Sequence, residues 1–361
     1  MFRLFFILFF SNFLIFGAGY KAIPINNIQL SQENVILQFY GGIVVDKDRI
    51  IFCDSKASDF KIFDMKGKLK FVFGRKGHGP NEFSRPVIHD YSNSILVIGN
   101  LDTYRTKLYE YKKDNKCSFI FKKEFLLRGI DAKLSEDKLL YCGIRKPDPK
   151  GKIYNLFSID LKTNKKEYLI PFELQFGDKP IDFRRKRKQG FKRTDELIIG
   201  YNTYCDIYKK DAFFIWTGNL SVMKFNFKTK KIFRFGNNSK NYLRPYLSQE
   251  LKRGYEERNI KKYLNASKKM SWVTGIFVDP RFVGVIYVNY DISSSCWVAF
   301  LDFFNRDGKF INEIRLKKLY CPYNFLRFYY DKKNQVFHGA SHTIDESFND
   351  IYRVISYKFI Q

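Results

Sequence analysis

The chain is poor in the residues that build most metal and nucleophile sites, with four His and six Cys in 361 residues. Cys53, Cys117, Cys142, Cys205, Cys296 and Cys321 form no C-x-x-C pair and have no His at zinc-finger spacing. Six cysteines over this length are no disulfide framework, and several sit inside apolar runs (IIFCD, LLYCG), where a thiol packs as a small hydrophobe. Buried thiols are therefore expected more than bridges, which need their Cα atoms within ~7 Å. There is no G-x-S-x-G elbow, P-loop or dinucleotide fingerprint, so no motif of serine hydrolases, P-loop nucleotidases or dinucleotide enzymes is present. Acidic residues are scarce too: 37 Asp+Glu stand against 64 Lys+Arg, a formal charge of +27. Abundant Phe, Tyr, Lys, Ile and Asn are the set that AT-rich codons encode, and such a codon bias could produce much of this basicity without selection for a ligand. Whatever its origin, such a charge draws polyanions and anionic surfaces.

Long apolar runs are missing as well. The N-terminal one, LFFILFFSNFLIF after Arg3, falls short of the ~20 residues of a membrane span. Gly17, Ala18 and Gly19 follow it, so residues 1–19 read as a secretory signal peptide, with an uncleaved anchor as the alternative. No Cys follows the run to carry a lipid. A periplasmic or secreted protein is expected, with no further transmembrane segment.

What is plentiful is core-forming material: 45% of residues are hydrophobic and 18% aromatic, which excludes intrinsic disorder. At ~150 residues per domain the length allows two or three domains, or one repeat architecture. Repeats are present. Six apolar strands recur at 49–54, 94–99, 138–143, 211–217, 284–289 and 335–340. Each is preceded by a weaker strand (41–46, 87–91, 129–134, 204–209, 274–279, 325–331) and followed by an alternating one (60–65, 106–111, 154–161, 221–227, 297–304, 352–360). A fourth strand (KLKFVFG, CSFIFKKEF, KKEYLIPF, KKIFRFG, KFINEIRL) closes every unit except the sixth. The segment 28–39, IQLSQENVILQF, is left over and is expected to supply the missing outer strand, closing a ring that leaves few free edges. The fold class is all-β: a six-bladed β-propeller of four-stranded antiparallel blades, one domain over residues 25–361. Two insertions interrupt it, at 177–197 and at 246–270. The second reads as a helix capped by Ser248, with Leu247, Leu251, Tyr255, Ile260 and Leu264 on one stripe and Gly254 weakening its middle.

Between the first two units runs FGRKGHGPNEFSRP, with Gly74, Gly77, Gly79, Pro80, Glu82, Phe83 and Pro86 in a dense pattern. Glycines allow the chain to reverse between blades, Phe83 can plug the space between them and Pro86 sets the start of the next strand. This stretch resembles the NHL repeat, G-x-x-G-x-G-P-x-x-F-x-x-P, and with the blade periodicity the chain is similar to NHL-like six-bladed propellers of bacterial exported proteins. The resemblance implies the fold more than an activity. Related exported propellers include metal-dependent lyases and lactonases that work at the mouth of the central channel. By that resemblance the alternative to a binding scaffold is a lyase or hydrolase using His89 and Asp90 on an inner strand, with the metal and any other cofactor unknown. The other histidines, His78, His338 and His342, read as ordinary polar or packed residues; the last two are four apart on a strand and its loop, outside helical zinc spacing.

The sharpest charge feature is 184–193, where Arg184, Arg185, Lys186, Arg187, Lys188, Lys192 and Arg193 surround Phe191. Such a cluster can neutralise several phosphates, but export argues against nucleic acid and favours an acidic protein or an anionic surface polymer. With no nucleophile beside an evident base, the leading expectation is a monomeric, non-enzymatic exported propeller that binds a macromolecule through its loop face.

Overall fold

The computed structural model of the chain describes residues 19–31, 40–112, 118–126, 131–142, 154–171, 203–216, 220–236, 239–245, 248–321, 327–344 and 350–361. Strand β1 (Lys21–Gln29) precedes the first blade, which is β2 (Tyr40–Asp46), β3 (Arg49–Asp54), β4 (Asp59–Asp64) and β5 (Leu69–Phe73). The short β6 (Arg75–Lys76) and β7 (Glu82–Phe83) lead to blade two: β8 (Pro86–Ser92), β9 (Ile95–Asn100), β10 (Arg105–Lys112) and β11 (Ser118–Leu126). Blade three is β12 (Asp131–Ser135), β13 (Lys138–Cys142), β14 (Tyr154–Asp160) and β15 (Lys166–Pro171). Blade four is β16 (Thr203–Tyr208), β17 (Asp211–Trp216), β18 (Ser221–Asn226) and β19 (Ile232–Gly236). Helices α1 (Gln249–Glu256) and α2 (Ile260–Ser267) come before blade five: β20 (Trp272–Val278), β21 (Val283–Asp291), β22 (Cys296–Phe304) and β23 (Phe310–Cys321). Blade six is β24 (Arg327–Asp331), β25 (Val336–Ile344) and β26 (Asp350–Ile360), and β1 pairs antiparallel with β26 as its outer strand.

The six four-stranded sheets are those expected from the repeats, and the ring closes through the N-terminal segment. The closing strand is not 28–39, however. It lies upstream at Lys21–Gln29, in register from Lys21 opposite Ile360 to Gln29 opposite Arg353. Pro24 and the paired Asn26 and Asn27 obscure this stretch as a strand, yet an outer edge tolerates proline because no further strand needs its N–H. Residues 32–39 lie outside the described part. Tyr20 begins the closure: its N–H donates to Asn312 Oδ1 (2.9 Å), Asn312 Nδ2 donates back to its carbonyl (2.8 Å), and its ring packs 4.8 Å from both Phe282 and Phe303.

Second strands are the most apolar in each blade and the most deeply buried, as in Ile50–Cys53 and Leu96–Ile98, because sheets pack on both of their faces. The insertion at 246–270 forms two helices rather than one. Ser248 caps the first by accepting from the Leu251 N–H (3.0 Å), and Asn259 caps the second through the Lys262 N–H (3.0 Å). The break rephases the stripe: Leu251, Ala266 and Met270 join Trp272 and Trp297 in the core of blade five, whereas Tyr255 is exposed. No helix among the described residues is long and apolar enough to cross a membrane.

At the junction of blades one and two, Gly74 adopts φ +86 and a Cβ there would meet the Phe83 ring at 2.5 Å. Phe83 is fully buried against Phe60 (5.0 Å), Phe73 and Tyr109 (5.8 Å each). Glu82 Oε2 accepts the His78 and Gly79 N–H groups (3.0 and 2.9 Å) while Oε1 takes Arg75 Nε (3.0 Å), so these donors hold its carboxyl below the usual range. Buried Lys107 donates to the Gly79 and Glu82 carbonyls (2.5 and 2.8 Å), and the Tyr109 hydroxyl donates to the Pro80 carbonyl. Pro86 opens β8. The dense motif thus builds a blade junction.

Candidate functional site

A cavity of about 430 Å³ occupies the ring axis, and every inner strand (β2, β8, β12, β16, β20 and β24) contributes to its wall. Its charged lining is unbalanced. Arg85, Arg105, Lys133, Arg327 and Lys332 face three carboxylates, Asp90, Asp131 and Asp206, while Arg85 and Arg105 also pair with Asp102 (3.1 Å) and Glu124 (2.7 Å). Tyr204, Phe277, Phe328, Tyr329 and Tyr330 add aromatic surface.

The three carboxylates do the same job in successive blades. Asp90 Oδ2 of blade two accepts the Leu134 N–H of blade three (2.7 Å), Asp131 Oδ2 of blade three accepts the Cys205 N–H of blade four (3.1 Å), and Asp206 Oδ2 of blade four accepts the Val278 N–H of blade five (2.7 Å). Inner strands of adjacent blades are not hydrogen-bonded into one sheet, so a side-chain acceptor is what satisfies backbone N–H groups at the seam. Lysines compensate the buried charge. Lys133 Nζ donates to the His89 carbonyl (2.7 Å) and lies 3.6 Å from Asp131 Oδ1; Lys332, in the turn after β24, reaches Asp206 Oδ1 (2.5 Å) and the Ile207 carbonyl (2.8 Å). Burial pushes the carboxyl of Asp131 up to about 6 and also raises Asp90, against the pull of Lys133.

His89 is buried in the wall, and burial, helped by the charges of Lys133 and Arg327, lowers its pKa to about 3. It is a neutral imidazole at physiological pH. Its Nδ1 is 3.9 Å from Asp131 Oδ1, and its Nε2 rests against Gly99, where an added Cβ would sit 2.1 Å away. His89 and Asp90 therefore both line the axis, but His89 is next to Asp131, while Asp90 is engaged by Leu134. The remaining histidines of the described strands have their own partners: His338 Nδ1 meets Ser356 Oγ (2.8 Å), and burial lowers its pKa to about 4; His342 Nε2 meets Asp350 Oδ1 (2.7 Å). Both lie in β25, where four residues span ~13 Å, too far to share one ion. The basic run Arg184–Arg193 and the insertion 177–197 lie outside the described residues.

Asp131, Lys133 and Asp206 escaped the motif-based reading, because each is an unremarkable residue until the ring closes. A signal was available nonetheless: all six inner-strand segments, from GGIVVD to FLRFYYD, carry an Asp.

A family model described as a 6-bladed beta-propeller, DUF5128, matches residues 25–279. The chain belongs to that family. Among solved structures, this DUF5128 propeller is similar to a DUF4221-family protein from Bacteroides vulgatus, with a TM-score of 0.56 at 13% identity over 95% of this chain and 99% of that one. It is also similar to a protein from Bacteroides fragilis that is expected to be exported, with a TM-score of 0.55 at 13% identity over 94% and 95% of the two chains. At such identity these likenesses concern the fold. No curated protein matches the sequence significantly.

Proposed function

We propose that this propeller works outside the cytoplasm as a non-enzymatic binding scaffold that takes an anionic group of a protein or envelope polymer at the ring axis and the loop face around it. The observation that carries this reading is the lining of the axis: five cationic side chains stand among three carboxylates that are each held by a backbone N–H of the next blade, and Arg85 and Arg105 pair besides with the exposed Asp102 and the partly exposed Glu124, ion pairs that an anionic group can replace. Carboxylates so engaged are poor general acids or bases, whereas a cation excess in a partly desolvated cleft attracts anions. The signal-like residues 1–19 and a similar protein expected to be exported support the location. A metal-dependent lyase or hydrolase built on His89 and Asp90 has less support, since Asp90 is engaged at the seam.

The test is a photo-crosslinking residue at Leu101, an exposed position of the cavity lining, in cells that export the chain. A discrete crosslinked partner, diminished by Arg85→Glu with Arg327→Glu, is expected. A crosslinking pattern indifferent to both reversals would overturn the reading, and a reporter retained in the cytoplasm by residues 1–30 would overturn the location.

A further inference from the structure

Beneath the wall of the axis, three potential ligands converge from two blades. Asp131 of β12 stands directly opposite Cys142 of β13, and Cys205 of β16 arrives across the seam. One carboxylate oxygen of Asp131 and the two sulfur atoms all lie within 4.8 Å of one another, and all three residues are buried. His89 Nδ1 stands 3.9 Å from Asp131 Oδ1 but is not one of the three atoms that converge, which leaves a fourth position for water. Around a tetrahedral ion with bonds of ~2.0–2.3 Å the ligand atoms stand ~3.3–3.8 Å apart, so these three atoms need draw in by no more than ~1–1.5 Å.

We propose that Cys142, Cys205 and Asp131 bind one zinc-class divalent cation at the seam of blades three and four, with water in the fourth position. Two sulfurs and one carboxylate suit zinc and not calcium, which takes six to eight oxygens. The charges close as well. Two thiolates, one carboxylate and a divalent ion sum to one negative charge, and Lys133, 3.6 Å from Asp131 Oδ1, cancels it. Binding releases one proton from each thiol; the Cys142 thiol, which otherwise donates to the Thr203 carbonyl (3.2 Å), gives up that bond.

The experiment uses the full chain without a histidine tag or chelator. About one zinc per chain is expected, and cobalt(II) in its place should show the near-ultraviolet charge-transfer band of thiolate ligation. Cys142→Ser and Cys205→Ser should abolish that band, and Lys133→Met, which supplies no ligand, should weaken binding about tenfold. Cys53→Ser, at a different seam, should leave it unchanged; an equal loss there would overturn the assignment. X-ray absorption at the zinc edge of the unaltered chain reads two sulfur neighbours directly, so the proposal stays testable even if a cysteine variant fails to fold. A folded chain that takes up no zinc, an edge without sulfur neighbours, or a Cys142–Cys205 disulfide in the isolated chain would each overturn it.

Discussion

Two seams of this ring share a design and differ in chemistry. At the end of the second strand of blade one, the Cys53 thiol donates to the Pro86 carbonyl at the start of blade two (3.3 Å); at the end of the second strand of blade three, the Cys142 thiol donates to the Thr203 carbonyl at the start of blade four (3.2 Å). Opposite Cys53 stands Gly42, and two residues beyond Pro86 stands Ile88, which a side chain at 42 would meet at 3.0 Å. Opposite Cys142 stands Asp131, and two residues beyond Thr203 stands Cys205. One scaffold thus holds Gly, Cys and Ile at one seam and Asp, Cys and Cys at the other. The fold requires only that a seam be filled and its N–H groups satisfied; what fills it is free to carry a site.

The largest effect that breaks this comparison is expected from Asp131→Ala, which leaves the buried Cys205 N–H without its acceptor and Lys133 without its nearest carboxylate. A loss of about 3–5 kcal/mol follows from removing one member of a buried pair, read as a lower denaturant midpoint with metal chelated. Glycine at the corresponding position of blade one shows that the scaffold itself does not need a carboxylate there.

Blade five supplies a reference carboxyl outside both seams. Asp302 is fully buried opposite Glu313, and neither of its oxygens has a hydrogen-bond donor among the described residues. Burial, and then the charge of Glu313, push its pKa up to about 8. An acid whose pKa is raised on folding favours the protonated form in the native state, so its stabilising contribution is complete below about pH 4 and is lost as pH rises through 8. Asp302→Asn should flatten that part of the stability profile, as measured by urea titration across the window; an unchanged slope would show that the carboxyl is solvated.

Gly99→Ala should cost about 1–3 kcal/mol by forcing the His89 ring from its place, and should do so at the polar side of the ring only. Smaller still, Cys53→Ala should cost about 1 kcal/mol with or without zinc, whereas Cys142→Ala should cost a similar amount only when zinc is withheld and more when it is supplied, in paired thermal melts. Replacing the seven basic residues of 184–193 by Ser should leave the melting temperature unchanged and remove retention on heparin or anionic vesicles, since a run of like charges adds attraction rather than stability. Unchanged retention would assign the attraction to the remaining net charge.

The architecture was legible because a propeller repeats its local rules. Second strands such as RIIFCD and SILVIG announce themselves by β-branched and aromatic runs, and the polar hairpins between third and fourth strands mark each unit's end. Where local signals were weak, the reading slipped: Pro24 and the Asn pair hid β1, and a single stripe over 246–270 concealed the break at Asn259 that makes two helices. The axis was half legible. His89 and Asp90 were recognised as inner-strand residues, yet the partner of His89 is Asp131 from the next blade, more than forty residues along the chain.

By itself, the sequence determined the class of fold, the number of blades and the junction at Gly74–Pro86, because each follows from contacts between neighbours in the chain and from the need to bury one apolar run per strand; that an N-terminal segment closes the ring followed from a missing fourth strand, but which segment does so was settled by the pairing of Lys21–Gln29 with the far end of the chain. Only the tertiary structure decided which polar side chains meet. Asp90, Asp131 and Asp206 become seam acceptors, and Cys142 and Cys205 come together, because blades touch along inner strands whose facing residues are separated by whole repeats. The spacing between those residues in the chain carries no trace of the distance between them in the ring.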